Sequence, residues 1–285
     1  MEEIKLTSEN YYSQEMNRKY CSASQYKQFC SNGNSIHHAC EARAMAELRG
    51  EWQQEVTKAL LIGSILDDLW SGATAEDLII KYPDCVSTRG ATAGQLKAEY
   101  RQAIELYQRT LRDEKFRMFM SGEKQTIMTG KINDLPFKIK MDSYIEGKCI
   151  TDLKTTQDAS MDFRIFIPDS GQRVPFYIAM NYDVQLAIYQ EIVRQNTGDK
   201  LPCYIAAVDK KPHPLPMIIQ LEQPMLDKAL EEIKRNTDKI IRLKNGEIEP
   251  IRCDSGDCDY CRDTYECKVM SASEFETHDI GKNDI

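Results

Sequence analysis

The stretch Lys140–Thr156 reads "KMDSYIEGKCITDLKTT" and sets three groups that are costly to bury among residues that favour strands. In an extended strand, the side chains of residues i and i+2 point to the same face, so Asp152 and Lys154 project together. A turn signal at Glu146–Gly147 allows Asp142 to lie beside them on the preceding strand. The sequence therefore predicts two neighbouring strands that bring together two carboxylates and a lysine.

Further strand-like and helical segments surround this pair of strands. "EKQTIMTGKI" precedes it, and "PCYIAAVDK" and "PMIIQLE" follow it, all with residues that favour strands. Apolar spacing predicts helices in "EVTKALLIGSILDDLWSG", "YDVQLAIYQEIVRQNTG" and "MLDKALEEIKRNTDKIIRLKNG", each ending at a glycine. One long amphipathic helix is predicted over 91–120. This order predicts an α/β fold in which helices flank a central mixed β-sheet.

The length of the chain allows one large domain or two small ones. We predict a single domain over 1–267, with an N-terminal helical part at 1–120, a core at 121–250 and a cysteine-rich segment at 251–267. The remaining residues, 268–285, are polar and predict a flexible tail.

Charge and hydropathy narrow the class of protein. The 37 Lys and Arg residues and 45 Asp and Glu residues give a formal net charge of -8, which argues mildly against a nucleic-acid partner. A negative net charge is still compatible with a local groove rich in Lys and Arg. No run of about 18 apolar residues is present, and the N-terminus lacks the basic and apolar regions of a secretory signal. We therefore expect a cytoplasmic protein with no membrane partner.

The charged strand pair offers ligands for a hard divalent cation. The carboxylates of Asp142 and Asp152, with the backbone carbonyl of Leu153, would supply oxygen atoms to Mg²⁺ or Mn²⁺ and leave positions for water. Such an ion lowers the pKa of bound water and neutralises charge on a phosphate, and Lys154 would position the water or stabilise the pentacovalent phosphorus. The alternative is a surface hairpin with an exposed ion pair between Asp152 and Lys154.

The motifs resemble those of the PD-(D/E)xK nuclease superfamily, which implies a restriction-endonuclease-like core. Asp142 followed by "TDLK" matches its two acidic positions and its lysine. Gln185 and Tyr189 in "QLAIY" match the QxxxY motif of the RecB-like and lambda-exonuclease-like branches. Residues i and i+4 share one helix face, so the resemblance implies that both side chains support the catalytic site.

The first motif of those branches has a counterpart in "LLIGSILDD". Asp67 stands four residues after Gly63, in the place where the branches usually have histidine. An aspartate can ligate a metal as a histidine can. Asp67 is therefore a further candidate for a position around the metal. Glu123, another carboxylate, is a candidate as well.

A closer resemblance covers nearly the whole chain, through "CEARAMAELRGEW", "GEKQTIMTGKI" and "YIAAVDK", and is to phage and prophage RecE-like (exonuclease VIII-like) exonucleases. It implies digestion from double-stranded DNA ends that leaves 3′ single-stranded tails for a RecT-like annealing protein in phage-type recombination. It also implies a homo-oligomer. The alternatives are an endonuclease, a single-strand nuclease, and a module on the same fold that binds nucleic acid or assembles without cleaving.

Four of the ten cysteines fall between positions 253 and 267, a grouping that indicates a metal site before disulfides in a reducing compartment. Cys258, Cys261 and Cys267 after the nuclease motifs, with Cys40 before them, resemble the iron-sulfur staple of AddB-type and CRISPR-associated nucleases. That resemblance implies a structural [4Fe-4S] cluster, with Cys253 as an alternate ligand. Unligated thiols are another interpretation. A further one is a Zn²⁺ site formed by Cys253, Cys258, Cys261 and one of Cys267, His37 or His38.

Overall fold

The computed structural model describes residues 5–274 except 32, 34, 37, 254–257 and 268, so His37 and most of the predicted tail at 268–285 lie outside the described residues. The α-helices are α1 (Gln14–Lys19), α2 (Ala23–Phe29), α3 (Glu41–Arg49), α4 (Lys58–Trp70), α5 (Ala75–Lys81), α6 (Ala98–Leu111), α7 (Glu114–Phe119), α8 (Phe176–Ala179), α9 (Tyr182–Thr197), α10 (Gln223–Lys244) and α11 (Asp259–Asp263). Short 3₁₀ helices, Pro83–Cys85 and Gly90–Thr92, lie between α5 and α6. The strands are β1 (Thr126–Ile132), β2 (Leu135–Met141), β3 (Ser143–Ile145), β4 (Cys149–Thr156), β5 (Ile165–Ile167), β6 (Gln172–Val174), β7 (Cys203–Asp209) and β8 (Pro216–Leu221).

The central sheet has the strand order β3-β4-β7-β8. Strands β4 and β7 are parallel, whereas β3 pairs with β4 and β8 with β7 in antiparallel fashion. Strands β1 and β2 form a separate antiparallel hairpin before it. The predicted α/β fold with a mixed sheet flanked by helices is therefore confirmed.

Helices cover both faces of the sheet, which is why β4 and β7 are mostly buried. On one face, Ile150 and Ile205 pack with α9 and α10 in one apolar cluster. On the other, Leu153 and Val208 pack with α4 and α6 in a second cluster. Because side chains alternate along a strand, Asp152 points to the same side of β4 as Ile150, where α9 lies.

Three local predictions differ from the structure. The strand predicted to carry Asp142 divides at that residue into β2 and β3. The helix predicted over 91–120 is two helices, because the Asp113 side chain accepts the N–H of Phe116 at 2.9 Å and caps a new helix there. The short β5–β6 hairpin was not predicted, since three-residue strands carry too little alternation to detect.

A membrane-spanning helix would need about 20 consecutive, mostly apolar residues. No helix in the described part of the chain combines the length and the apolar character needed to cross a bilayer.

Candidate active site

Asp142 is the residue between β2, which ends at Met141, and β3, which begins at Ser143. Strand β3 pairs with β4 only as far as Thr151, so the later part of β4 extends past the end of β3. There the Asp142 carboxylate accepts the backbone N–H of Leu153 through Oδ2 at 2.7 Å. The side chain thus satisfies a strand amide that would otherwise lack a partner, and this bond fixes Asp142 beside Asp152.

Asp152 is 1% exposed and lies on the face of β4 that α9 covers. Its Oδ1 accepts a hydrogen bond from Nε2 of Gln185 at 2.8 Å. Its Oδ2 lies 2.5 Å from the ammonium of Lys154. Among the described residues, no well-directed hydrogen bond reaches that second oxygen. A buried carboxylate oxygen in this condition has unused capacity for a positive ligand.

Lys154 remains a charged ammonium in this setting. Its side chain is 20% exposed, and its Nζ lies 5.0 Å from the centre of the Tyr182 ring. Burial alone would lower its pKa, but the carboxylates of Asp152 and Asp142 outweigh burial and raise the pKa of Lys154 above its ordinary value. The lysine is therefore protonated at neutral pH.

Helix α9 supports the carboxylate through the QxxxY pair. The Gln185 amide that donates to Asp152 also donates to Oη of Tyr189 at 3.2 Å, and Tyr189 donates to the carbonyl of Lys140 at 3.0 Å. On the other side, Lys27 of α2 donates to Oε1 of Gln185 at 3.5 Å. That contact orients the amide with its nitrogen toward Asp152. The structure thus brings both motif residues to the site.

Asp67 reaches the same site from α4. Nε2 of Gln125 donates to both of its carboxylate oxygens, at 2.9 and 3.1 Å. Burial raises the pKa of Asp67, and the nearby Lys140 partly offsets that effect. Glu123 differs from the prediction. Its side chain is exposed and its backbone pairs with Tyr144, so the turn presents Gln125 rather than Glu123 to Asp67.

A cavity of about 620 Å³ joins these groups. Its lining includes the three aspartates, Lys154, Gln185, Tyr189, Gln125, Lys138, Lys140, Tyr11, Tyr12 and Trp52. Burial, followed by repulsion from Asp152 and Asp67, raises the pKa of Asp142 well above its ordinary value. A cation in this cavity would relieve that repulsion.

The donor set suits a hard divalent cation. It consists of carboxylate oxygens, and the Lys154 ammonium already stands beside Asp152 Oδ2 in the manner of a bound cation. In the described chain, the three aspartates are not gathered as tightly as the cysteine group described below. Water would therefore complete the coordination, as Mg²⁺ prefers.

Sequence reasoning missed three residues of this site. Gln125 adopts φ +54°, and it meets Asp67 only because a turn approaches α4 from 58 positions away. Tyr182, under Lys154, had no motif to identify it. Lys140 did have a signal, since it lies on the predicted strand two residues before Asp142.

Four thiols form a second cluster, which we call the cysteine group: Cys40, Cys253, Cys258 and Cys261. Their sulfur atoms all lie within 4.8 Å of one another. The Cys40–Cys261 and Cys253–Cys258 sulfur distances are 3.5 and 3.4 Å, too long for disulfides. Burial raises the pKa of Cys258 and of Cys261. Four converging thiols fit a tetrahedral metal centre.

The cysteine group departs from the predicted set in one ligand. Cys267 is exposed, and Cys253 takes its place beside Cys258. Cys258 caps α11, which brings Cys261 to the same side, and the chain has left the group by Cys267. His38 lies 3.6 Å from Asp169, in an ion-pair arrangement apart from these thiols.

The fold and the site define a PDDEXK-like protein. Residues 22–264 match the family described as a PDDEXK-like domain of unknown function, DUF3799, and the chain belongs to that family. The predicted membership of the PD-(D/E)xK superfamily is thereby confirmed.

Solved structures provide a close relative. A crystal structure at 2.19 Å resolution of a "putative exonuclease" from Eubacterium rectale is 41% identical, covers 96% of this chain and 99% of that chain, and has a TM-score of 0.87. Another structure, of a protein named SSO0001, is 10% identical over 70% of this chain and 84% of that chain. Its TM-score of 0.30 is too low to indicate a shared fold. No curated protein sequence matches significantly.

Proposed function

We propose that the chain is a divalent-metal-dependent nuclease that hydrolyses phosphodiester bonds from DNA ends. The observation that carries the proposal is the convergence of Asp142, Asp152 and Lys154 in one cavity, supported by the QxxxY pair. The relative from Eubacterium rectale, described as a "putative exonuclease", supports action at ends. We assign Mg²⁺ or Mn²⁺ as the cofactor because the available donors are hard oxygen atoms.

The metal ligands we assign are the carboxylates of Asp142 and Asp152 and the backbone carbonyl of Leu153, with Asp67 as a further carboxylate. When bound, such an ion neutralises charge on the scissile phosphate and lowers the pKa of a water molecule. Asp152 is almost fully buried, so water screens the charge interactions of its carboxylate only weakly.

Lys154 carries the remaining positive charge of the site. Its two carboxylate neighbours keep it protonated, so it can stabilise the negative charge that develops on the phosphate without first binding a proton. Gln185 and Tyr189 act as positioning residues, because their hydrogen bonds fix Asp152 relative to β2. Preorganisation of this kind lowers the cost of reaching the transition state.

The substrate and partners belong to the proposal as well. From the RecE-like resemblance we infer linear double-stranded DNA as substrate and 3′ single-stranded tails as products. We also infer a RecT-like annealing protein as partner and a homo-oligomer as the active form. Lys140, on the cavity wall, is compatible with a phosphate backbone in the cavity.

Linear and covalently closed circular duplexes, incubated with the protein and Mg²⁺, test the proposal. We expect degradation of the linear duplex alone, and a rate about 10²- to 10³-fold lower for Lys154→Ala. Lys148→Ala is the matched control, because Lys148 is exposed on the turn before β4. An inactive wild type, or equal rates for Lys154→Ala and wild type, would contradict the proposal. Cleavage of the circle would instead favour the endonuclease alternative.

For the cysteine group we propose a structural metal centre, either a [4Fe-4S] cluster or Zn²⁺. The four sulfur atoms come from the start of α3 and from the segment around α11, so a metal would hold these distant segments together. Elemental analysis of protein purified without oxygen distinguishes iron from zinc. The colour gives a second criterion, because a cluster is brown and Zn²⁺ is colourless. Protein that contains neither metal would contradict the assignment.

A further inference from the structure

Two tyrosines on the cavity wall belong to no predicted motif. Tyr11 and Tyr12 lie on the turn before α1, and both line the cavity that holds the carboxylates. Tyr11 is 5% exposed, whereas Tyr12 is 70% exposed. Their rings meet edge to face with centroids 5.0 Å apart. Tyr11 thus supports Tyr12, whose ring remains open to a ligand.

A buried lysine fixes this turn against β2. Lys138 is 1% exposed, and its ammonium donates to the carbonyl of Tyr11 and to Oδ1 of Asn17, the latter at 2.7 Å. Tyr11 Oη donates to the carbonyl of Lys138 at 3.4 Å, and Asn17 Nδ2 to the carbonyl of Tyr12 at 3.2 Å. Burying an ammonium is costly unless it is well bonded. The chain therefore places Tyr12 in position before a ligand arrives.

Lys140 stands between the tyrosines and the carboxylates. Its Nζ lies 4.6 Å from the centre of the Tyr12 ring and 5.4 Å from that of Tyr11. It precedes Asp142 by two residues, and in the described part of the chain it has no ion pair. A cation beside an exposed ring is the combination with which proteins bind unpaired nucleotides, the cation taking a phosphate and the ring a base.

We propose that Tyr12 stacks on the base of an unpaired nucleotide in the strand being cleaved, while Lys140 binds a phosphate of that nucleotide. This inference rests on the proposed nuclease function and deepens it by naming the form of the substrate. A base inside a duplex is covered on both faces by its neighbours. The terminal base pair must therefore open before the strand reaches Asp142 and Asp152.

A chemical double-mutant cycle between ring and base tests the proposal. The protein variants are wild type, Tyr12→Ala and Tyr12→Phe, and the substrates are short single-stranded oligonucleotides, intact or with one abasic residue at successive positions from each end. Binding is measured by fluorescence anisotropy with Ca²⁺ in place of Mg²⁺, and cleavage is measured with Mg²⁺. Tyr265→Ala is the matched control, because Tyr265 is 59% exposed and does not line the cavity.

We expect Tyr12→Ala to weaken oligonucleotide binding about tenfold and to raise KM more than it lowers kcat, with Tyr12→Phe near wild type. At one position, an abasic residue should weaken wild-type binding by a similar factor and leave Tyr12→Ala unaffected. Lys140→Met should reduce the salt dependence of binding.

The outcomes separate this inference from the proposed function. The stacking role is overturned if Tyr12→Ala binds the oligonucleotide as Tyr265→Ala does. It is also overturned if an abasic residue weakens binding by Tyr12→Ala as much as binding by wild type. In either case, hydrolysis of DNA by the wild type would leave the nuclease proposal intact. If the abasic effect depends on Tyr12 but no DNA is cleaved, the stacking role stands and the nuclease proposal fails.

Discussion

The strand carboxylates of the active site, Asp142 and Asp152, and the thiols of the cysteine group come together in different ways. In the first, the Asp142 side chain bonds the backbone of a residue only 11 positions away, because adjacent strands hold both. In the second, Cys40 meets Cys261, which lies 221 positions further along the chain. The first keeps like charges together on a rigid sheet, at a cost in stability. The second draws distant segments together and stabilises them only when a metal satisfies the thiols.

The two regions touch through one aromatic contact. Tyr260, between Cys258 and Cys261, packs edge to face on Trp52 with centroids 6.0 Å apart. Trp52 in turn lines the cavity. The cysteine group can therefore support the outer wall of the cavity, although it does not reach the carboxylates.

The largest effect is expected at Asp142. Asp142→Asn should lower the cleavage rate at least about 10²-fold, because a metal ligand is lost, yet it should raise the Tm of the metal-free protein by about 2–4 °C. The gain follows from removing one of three mutually repelling carboxylates that line the cavity. Cleavage assays and thermal unfolding in EDTA measure the two effects, with Asp134→Asn, on the exposed β1–β2 turn, as the charge-matched control.

The pH dependence of the Tm increase in Asp142→Asn identifies the cause of that increase. The folded state raises the pKa of Asp142, so ionisation of this group opposes folding, and the penalty is present at neutral pH. As the pH falls below 3.8, the ordinary pKa of an aspartate, the group becomes protonated in the unfolded state as well, and the Tm difference should disappear. A Tm difference that does not change with pH would point to a different cause.

At the cysteine group the stability effect should have the opposite sign. Cys40→Ser should lose the metal proposed for this group and lower the Tm by several degrees, whereas kcat should fall less than about tenfold because the thiols do not touch the carboxylates. Metal content and thermal unfolding are the measurements, and Cys267→Ser is the control. Metal loss in Cys267→Ser, with retention in a Cys253→Ser variant, would restore the ligand set predicted from the sequence.

An intermediate effect is expected at Gln125. Gln125→Leu removes the amide that donates to both oxygens of Asp67, so the concentration of Mg²⁺ needed for half-maximal cleavage should rise about 10- to 100-fold. A Mg²⁺ titration of the cleavage rate measures it, with the exposed Gln157→Leu as control. An unchanged titration would remove Asp67 from the metal site.

The smallest effect concerns Lys27. Burial, followed by repulsion from Lys154, lowers the pKa of Lys27 from 10.5 to about 8. Its charge therefore opposes folding fully below about pH 8, and this penalty decreases as the pH rises and is lost above 10.5, where the lysine is neutral in the unfolded state too. Lys27→Met should be more stable than wild type by about 1 kcal/mol at pH 7 and by less at pH 10, as urea unfolding can show. Lys148→Met should show no such trend.

The sequence by itself determined the α/β layers and which charged side chains share one face of a strand or helix. Strand alternation placed Asp152 and Lys154 on one face, and the i, i+4 spacing put Gln185 and Tyr189 on one side of α9, as the structure has them. These relations hold within a strand, a helix or a neighbouring strand pair. Local backbone geometry therefore sufficed for these relations, whereas the expectation that α9 faces β4 came from the resemblance to the PD-(D/E)xK superfamily.

Only the tertiary structure decided contacts between distant segments. Spacing could not choose between Cys253 and Cys267, because the choice depends on how α11 packs near the start of α3. Nor could it bring Gln125 to Asp67, or Tyr12 to Lys140, since each pair joins separate elements of the chain. The physical reason is that side-chain periodicity is a property of one element, whereas these contacts depend on the packing of the whole core.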